Sequence, residues 1–92
     1  MSSNTVVAQI REFITDNFLY ARPDFVLNDT DALLGSGIVD SMGVMEIVVF
    51  LEERFGLEVS DTDITEDNLG SVQAIANYVN ARLGEAELRH IA

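Results

Sequence analysis

The sequence lacks cysteine and lysine altogether, and its 92 residues include a single proline. Without cysteine the chain has no disulfide framework and no thiol nucleophile of its own. It also lacks a long apolar run and a recognisable signal peptide, so neither a transmembrane segment nor a secretory leader is expected. We therefore expect a cytoplasmic protein with no stable insertion into membranes.

Positive charge is scarce in this chain. Five arginines face sixteen acidic residues, which gives a formal net charge of −11. Nucleic acids and anionic membrane surfaces are bound through Lys and Arg patches, so neither is expected as a partner. The charge favours encounters with proteins that carry basic surfaces, and it also serves solubility.

Strand-like alternation, internal repeats and low-complexity segments are absent as well. Ninety-two residues with 48% hydrophobic content suit one domain with a single core and leave little material for an enclosed active site. We expect a monomeric domain over residues 1–92. Its core should span about residues 4–84, with residues 85–92 as a flexible tail or a short helical extension.

Apolar residues recur at spacings of three and four, the period of an amphipathic helix, along most of the chain. They predict a first helix from Asn4 to about Tyr20 and a second from about Ser41 to Phe55, with Gly56 ending it. A short third helix is predicted around Ile64 to Asn68. A fourth follows Gly70-Ser71, and Gly84 is predicted to end it. The expected fold class is an all-α, small four-helix bundle.

A long loop, about Ala21 to Asp40, joins the first two predicted helices. It holds Pro23 and Gly35-Ser36-Gly37, which are turn and breaker signals. Loops of this length are uncommon in compact domains unless they are functional or packed by their own side chains. Four apolar residues are predicted to pin this loop to the core: Leu27, Leu33, Leu34 and Ile38.

The second predicted helix carries two apolar stripes. The core stripe comprises Val44, Ile47, Val48, Leu51 and Phe55. A second stripe, rotated away from the first and beginning beside Ser41, comprises Met42, Met45 and Val49. This second stripe is either further core or a docking face for proteins. We favour docking, because methionine adapts to several partners and acids border the stripe, namely Glu46, Glu52 and Glu53.

The run Gly37-Ile38-Val39-Asp40-Ser41-Met42-Gly43 places a serine hydroxyl at the start of the second helix. Taken alone, an aspartate or serine at that junction is an ordinary helix cap. In context, Asp40-Ser41-Met42 resembles the Asp-Ser-Leu/Met core of the attachment motif of acyl and peptidyl carrier proteins. The likeness extends through almost the whole chain, as far as Ser71-Val72-Gln73-Ala74-Ile75, which resembles the family's last helix.

The resemblance implies that a phosphopantetheinyl transferase moves 4′-phosphopantetheine from coenzyme A onto Ser41, and that Asp40 is part of what the transferase recognises. It also implies that the thiol of this group holds acyl or aminoacyl cargo as a thioester. The further partners implied are a ligase that loads the cargo and a transferase or synthase that takes it. The chain itself is then a carrier and not an enzyme.

Two departures from the carriers of fatty-acid synthesis favour a specialised biosynthetic pathway. Those carriers commonly read Gly-Leu/Ala-Asp-Ser-Leu with an acid soon after the serine. Here Ile38 and Val39 lie between Gly37 and Asp40, and Gly43 stands where the acid often lies. Both departures resemble stand-alone carriers such as aminoacyl and D-alanyl carriers, and those of peptide or polyketide assembly.

Two other functions compete with that of a carrier. An unmodified, carrier-like adaptor would bind a protein through the second stripe, whereas a serine hydrolase needs a base, and the only histidine is His90 in the tail. No metal site is predicted, because the acidic group does not have the ligand order of an EF-hand. We interpret that group as a solvated, partner-facing patch, with loose binding of a cation as the alternative; it comprises Asp61, Asp63, Glu66 and Asp67.

Overall fold

A computed structural model describes the backbone of residues 3–91 and the side chains of residues 5–84. Within that range the chain is all-helical, which confirms the predicted fold class. The four α-helices are α1 (Ser3–Phe18), α2 (Ser41–Phe55), α3 (Glu66–Leu69) and α4 (Val72–Ile91), and a 3-10 turn covers Asp61–Asp63. In this part of the chain no helix is long and apolar enough to cross a membrane.

The core forms where the apolar faces of the long helices meet. α1 packs chiefly against α4, and the three- and four-residue spacing of the sequence places one face of each helix inward. Each fully buried Val, Leu or Ile contributes about 1.5–3 kcal/mol relative to an exposed one. The helical members of this core are Val6, Ile10, Ile14, Ile47, Val48, Leu51, Leu69, Val72, Ile75, Ala76, Tyr78 and Val79.

α2 begins and ends where the sequence predicts. Asp40 precedes it in an extended conformation and caps it through its side chain. Gly56 follows it with φ at 68°, in the left-handed region that glycine adopts without steric cost, and its N–H donates to the carbonyl of Glu52. Both ends are set by local chemistry, which is why the sequence was sufficient to place them.

The other long helices differ from prediction at one end each. α1 stops at Phe18, about two residues early, because Leu19 turns into the core and the carbonyl of Leu19 accepts from the N–H of Arg22 in the next turn. α4 continues to Ile91, so the predicted end at Gly84 is wrong and the helical extension is the alternative that the backbone shows. A glycine inside a helix costs only about 1 kcal/mol relative to alanine, which the good helix formers that follow can offset.

The loop before α2 is pinned by three of the four predicted residues. Leu27, Leu33 and Ile38 are buried, but Leu34 is 41% exposed, so its prediction as an anchor is wrong. Leu33 and Leu34 are consecutive in a turn, and only Leu33 faces inward, where its N–H donates to the carbonyl of Gly70. Val39, which is not one of the four predicted anchors, is fully buried.

Candidate functional site

The last residues of the loop before α2 are buried. Ile38 and Val39 are both buried, and the N–H of Val39 donates to the carbonyl of Leu33 at 3.0 Å. These contacts hold the residues that immediately precede Asp40. The start of α2 is therefore held in place by packing, although a long loop precedes it.

Asp40 is the N-cap of α2. Its φ and ψ of −93° and −179° are extended, and its Oδ1 accepts a hydrogen bond of 2.7 Å from the N–H of Gly43. Ser41 is the first residue of the helix and is exposed to solvent. Of the two residues considered as caps, Asp40 has that role, and the hydroxyl of Ser41 is not committed to it.

The start of α2 suits a phosphate group. The N–H groups of Ser41 and Met42 lie in the first turn, where helix geometry provides no carbonyl partner, and the helix dipole adds partial positive charge. Together these features favour an anion at a helix N-terminus. The carboxylate of Asp40 opposes that effect, although its Oδ1 is already bonded to Gly43. The exposed serine and the free N–H groups fit a phosphodiester attached at Ser41.

Gly43 is the point where α1 and the loop meet the first turn of α2. It is buried, and a Cβ atom at this position would lie 2.8 Å from Cε1 of Phe18 and 2.8 Å from Cγ1 of Val39. Because Phe18 ends α1 and Gly43 lies near the start of α2, the two helices run antiparallel. No acidic side chain fits at position 43 while these contacts are kept.

The second stripe of α2 lies at the surface. Met42 is 79% exposed, Met45 50% and Val49 49%, which excludes the alternative that these residues belong to the core. Glu46 and Glu53 beside them are exposed too. The stripe is thus an uncovered apolar strip with carboxylates beside it.

Glu52, predicted to border the same stripe, has a structural contact instead. It is half-buried, and its Oε2 accepts a hydrogen bond of 3.1 Å from the N–H of Val59. The carboxylate therefore ties the end of α2 to the segment that follows it. Of the three predicted acids, Glu46 and Glu53 are the ones left free at the surface.

A groove between α1 and α2 was not foreseen from the sequence. Phe13 and Asn17 of α1 form one side, the opposite side is Met45, Glu46, Val49, Phe50 and Glu53 of α2, and the space between is about 440 Å³. We call it the α1/α2 groove. Phe13 is partly buried against the core, and no sequence signal distinguishes Asn17, because the groove exists only once the two helices are paired.

A second, smaller cavity lies on the other side of α2, against α3. It measures about 90 Å³ and is lined partly by Leu34, Val44, Ile64 and Leu69. The sequence offers Phe50, Ile64 and Ile75 as apolar residues that cargo held between the helices could reach, and only Ile64 lies at this cavity. Phe50 faces the α1/α2 groove, and Ile75 is completely buried.

The acidic segment after α2 is partly engaged within the protein. Oδ2 of Asp63 accepts a hydrogen bond of 2.8 Å from the hydroxyl of Tyr78, and Arg82 contacts both side chains. Among the described side chains, no group of three or more His, Asp or Glu is arranged to hold a metal ion. The side chain of His90 lies outside the described residues, and so does any test of its role.

Comparisons with known proteins show which family the chain resembles. Residues 5–79 match the family described as "Phosphopantetheine attachment site". The chain is similar to an acyl carrier protein of Campylobacter hominis, at 31% identity over 80% of this chain and 89% of that protein. It is similar to a D-alanyl carrier protein of Streptococcus gordonii, also at 31% identity, over 80% and 90%. An acyl carrier protein of Buchnera aphidicola is 30% identical over 84% and 92%.

Proposed function

The chain belongs to the family of carrier proteins defined by the phosphopantetheine attachment site, and on that premise we propose that it carries an acyl or aminoacyl group as a thioester on 4′-phosphopantetheine bound to Ser41. Membership makes it a carrier rather than an enzyme, and phosphopantetheine is its prosthetic group. The observation that supports Ser41 as the attachment point is its exposed hydroxyl at the first position of a helix capped by the preceding Asp40.

The residues of this chain have simple roles in that function. Ser41 presents its hydroxyl, and Asp40 holds the first turn so that the N–H groups of Ser41 and Met42 face the position of a phosphate. When attached, the prosthetic group supplies the thiol that binds the cargo. The chain itself contributes one hydroxyl, which it presents at the capped start of α2.

Activation of the hydroxyl is assigned to the phosphopantetheinyl transferase. A serine hydroxyl is a weak nucleophile without an adjacent base, and the residues next to Ser41 in the sequence offer only the carboxylate of Asp40. That carboxylate is exposed, and one of its oxygens is occupied by the N–H of Gly43. The other oxygen is open to the transferase, which supports recognition of Asp40 by the enzyme or by its metal ion.

The cargo is proposed to be short. The cavity beside α3 has about 90 Å³, roughly the volume of three water molecules, and its lining residues are apolar on the α2 side. A long acyl chain would need several times this space to be buried. A small acyl or aminoacyl group needs no such shelter, and the similarity to a D-alanyl carrier protein is consistent with one.

A specialised biosynthetic pathway remains the preferred setting. Both sequence departures that favour it involve residues that pack inside the fold. Val39, between Gly37 and Asp40, is fully buried, and Gly43 lies against Phe18. The proposed partners are a phosphopantetheinyl transferase, a ligase that loads the acyl or aminoacyl group, and a downstream transferase or synthase. Partner docking is proposed through the exposed stripe Met42, Met45 and Val49 with Glu46 and Glu53; the cytoplasmic location stays a prediction.

The test is the intact mass of the purified protein before and after incubation with coenzyme A, Mg²⁺ and a broad-specificity phosphopantetheinyl transferase. The native protein should gain the mass of one phosphopantetheine, and Ser41→Ala should gain none. Ser60→Ala is the matched control, because Ser60 is an exposed serine outside this site and its loss should not affect loading. Since Ser41 is not the cap, its replacement should change the free energy of unfolding by no more than about 0.5 kcal/mol.

Two outcomes would contradict the proposal. Loading of Ser41→Ala would place the attachment elsewhere. No loading of folded native protein by several transferases would favour the alternative function, an unmodified adaptor that binds a protein through the α2 stripe.

A further inference from the structure

Sulfur atoms among the described side chains lie only on the exposed stripe of α2. The chain has no cysteine, and its three methionines are Met1, Met42 and Met45. The side chain of Met1 lies outside the described residues. Methionine is often buried in globular proteins, but here Met42 is 79% exposed and Met45 50% exposed. The oxidisable thioethers of the described fold therefore lie at the surface, in the turns of α2 that follow Ser41.

The two thioethers differ in their access to solvent. Met42 is more exposed than any other large apolar side chain of the described residues. Met45 lines the α1/α2 groove together with Phe13 and Phe50, so part of its side chain is covered. An oxidant has to reach the sulfur atom before it can react, and we therefore expect Met42 to be oxidised before Met45.

The oxidant has to be one that a strongly acidic protein does not repel. A net charge of −11 disfavours the approach of anionic oxidants, whereas hydrogen peroxide is uncharged at neutral pH. The sulfur lone pair of Met42 forms a bond to one peroxide oxygen as the O–O bond breaks. The departing oxygen takes the proton of the transferred hydroxyl and leaves as water. Sulfur is oxidised to the sulfoxide, and the peroxide is reduced.

Oxidation of Met42 should leave the fold intact. Its side chain lies in solvent, so a sulfoxide oxygen there is hydrated and no polar group enters the core. The start of α2 depends on other contacts, chiefly the hydrogen bond from the N–H of Gly43 to Oδ1 of Asp40. The reaction therefore changes the chemistry of the surface and not the packing beneath it.

The surface that changes is the one beside the proposed attachment point. Met42 directly follows Ser41, so an enzyme that reaches the hydroxyl of Ser41 has to cover the side chain of Met42 as well. A thioether is an apolar surface that adapts to its partner. A sulfoxide is polar, and covering it without a hydrogen-bond donor costs free energy because its hydration is lost.

We propose that Met42 is a redox-sensitive modification site at which hydroperoxides switch the carrier off. Oxidation of its thioether to the sulfoxide slows loading of Ser41, and methionine sulfoxide reductases restore loading by reversing the oxidation. Met45 is a second, slower site, whereas Val49 on the same stripe has no atom that peroxide oxidises. This inference rests on the proposed carrier function and adds a form of regulation to it.

The test compares loading of the protein before and after limited treatment with hydrogen peroxide. It uses the protein without its prosthetic group, because the thiol of that group would also react. Peptide mass mapping should find the first added oxygen on Met42. The kcat/KM of the transferase for the singly oxidised protein should fall at least about tenfold, through a higher KM, because the polar sulfoxide has to be covered. Treatment with the two stereospecific methionine sulfoxide reductases should restore the rate.

Three variants identify the sulfur that is responsible. Each is judged by comparing its own loading rates before and after peroxide, so its rate without treatment does not enter. Met42→Leu has no sulfur at this position, and its two rates should agree. Met45→Leu is the matched control and should remain as sensitive as the native protein. Met42→Gln places a polar amide of similar length beside Ser41; it should load slowly without peroxide, and peroxide should not slow it further.

Other results would overturn the inference. Native loading by protein oxidised at Met42 would show that the sulfoxide is tolerated, and undiminished sensitivity of Met42→Leu would place the effect at another group. A urea midpoint that falls in parallel with loading would indicate damage to the fold in place of a surface switch. The carrier function is decided separately, by the mass that the untreated native protein gains.

Discussion

At Gly43 the first turn of α2 touches both the end of α1 and the end of the loop. A Cβ atom there would lie 2.8 Å from both Phe18 and Val39, closer than carbon atoms approach without displacement. The N–H of the same residue also holds the carboxylate of Asp40. This one residue therefore joins the close packing around α2 to the cap that precedes Ser41.

Replacement of Gly43 by alanine should destabilise the protein. Overpacking of a well-filled core costs about 1–3 kcal/mol, which exceeds the roughly 1 kcal/mol that alanine gains over glycine in a helix. We expect a lower urea midpoint with an unchanged slope, measured by circular dichroism. Loading of Ser41 by the transferase should also slow, because the capped turn shifts with Phe18 and Val39.

Gly84→Ala is the matched control for Gly43→Ala. Gly84 lies inside α4, and no atom comes within 4 Å of where its Cβ would be. The helix propensity of alanine is then unopposed, and the protein should gain about 0.5–1 kcal/mol. If both variants change stability in the same direction, close contact at Gly43 is not what distinguishes the two positions.

At the scale of elements, the segment between α2 and α4 is held by side chains from both ends. The carboxylate of Glu52 bonds to the N–H of Val59, and Asp63 bonds to Tyr78 and Arg82. Burial, reinforced by the hydrogen bond to Asp63, raises the pKa of the Tyr78 hydroxyl above its ordinary value of 10.0, while the charge of Arg82 opposes the rise. The hydroxyl is thus held in its protonated form in the folded protein.

This contact predicts how stability changes at high pH. Below pH 10.0 the phenol is protonated in both folded and unfolded chains, so its contribution is fully present. As the pH rises past that value, the phenol of the unfolded chain ionises first. The stabilising contribution of the Tyr78 contact is then lost progressively until the pH passes the higher pKa of the folded state. We expect the free energy of unfolding, measured with urea between about pH 8 and 11, to fall less steeply above pH 10.0 in Tyr78→Phe than in the native protein.

Tyr20→Phe is the control for that measurement, because Tyr20 is 77% exposed and makes no comparable contact with Asp63 or Arg82. The free energy of unfolding of Tyr20→Phe should change with pH as that of the native protein does. If the free energy of unfolding of Tyr78→Phe falls with pH as steeply as that of the native protein, other groups cause the loss of stability at high pH.

At the scale of the whole molecule, the charge works against the compact state. The net charge of −11 is contained in a body with a radius of gyration of 13.2 Å. Two arginines are used in described ion pairs within the fold. Most of the acidic side chains therefore repel one another across distances comparable to the screening length of a dilute buffer.

Salt should therefore stabilise this protein. Raising NaCl from about 10 mM to about 1 M shortens the Debye length from about 30 Å to 3 Å and removes most of the self-repulsion. We expect the melting temperature at neutral pH to rise by several degrees, since about 1 kcal/mol corresponds to about 4–8 °C in a domain of this size. The melting temperature is measured by circular dichroism.

The same salt series at pH 4 serves as the control, because acid lowers the net negative charge that salt would screen. The dependence on salt should be much weaker at that pH. A melting temperature that falls with salt at neutral pH would mean that ion pairs such as Arg11 with Asp29 outweigh the repulsion.

Predictions from the sequence succeeded where a local interaction decides the structure. The bounds of α2 follow from a capping aspartate and a left-handed glycine, and both act within one helical turn. They failed at Leu34 and Gly84, where the result depends on the rest of the fold. Adjacent leucines in a turn cannot both face the core, and a glycine ends a helix only if the following residues do not continue it.

The sequence by itself determined the order of the helices, the acidic charge and the motif that identifies the family, because periodicity, composition and short motifs are properties of the chain alone. Only the tertiary structure decided that the Met45 and Val49 stripe is exposed, that Glu52 is engaged and that Asn17 lines a groove with Met45. Asn17 and Met45 are far apart in sequence, and a surface shared by two helices depends on how their side chains interlock. No spacing along one helix contains that information.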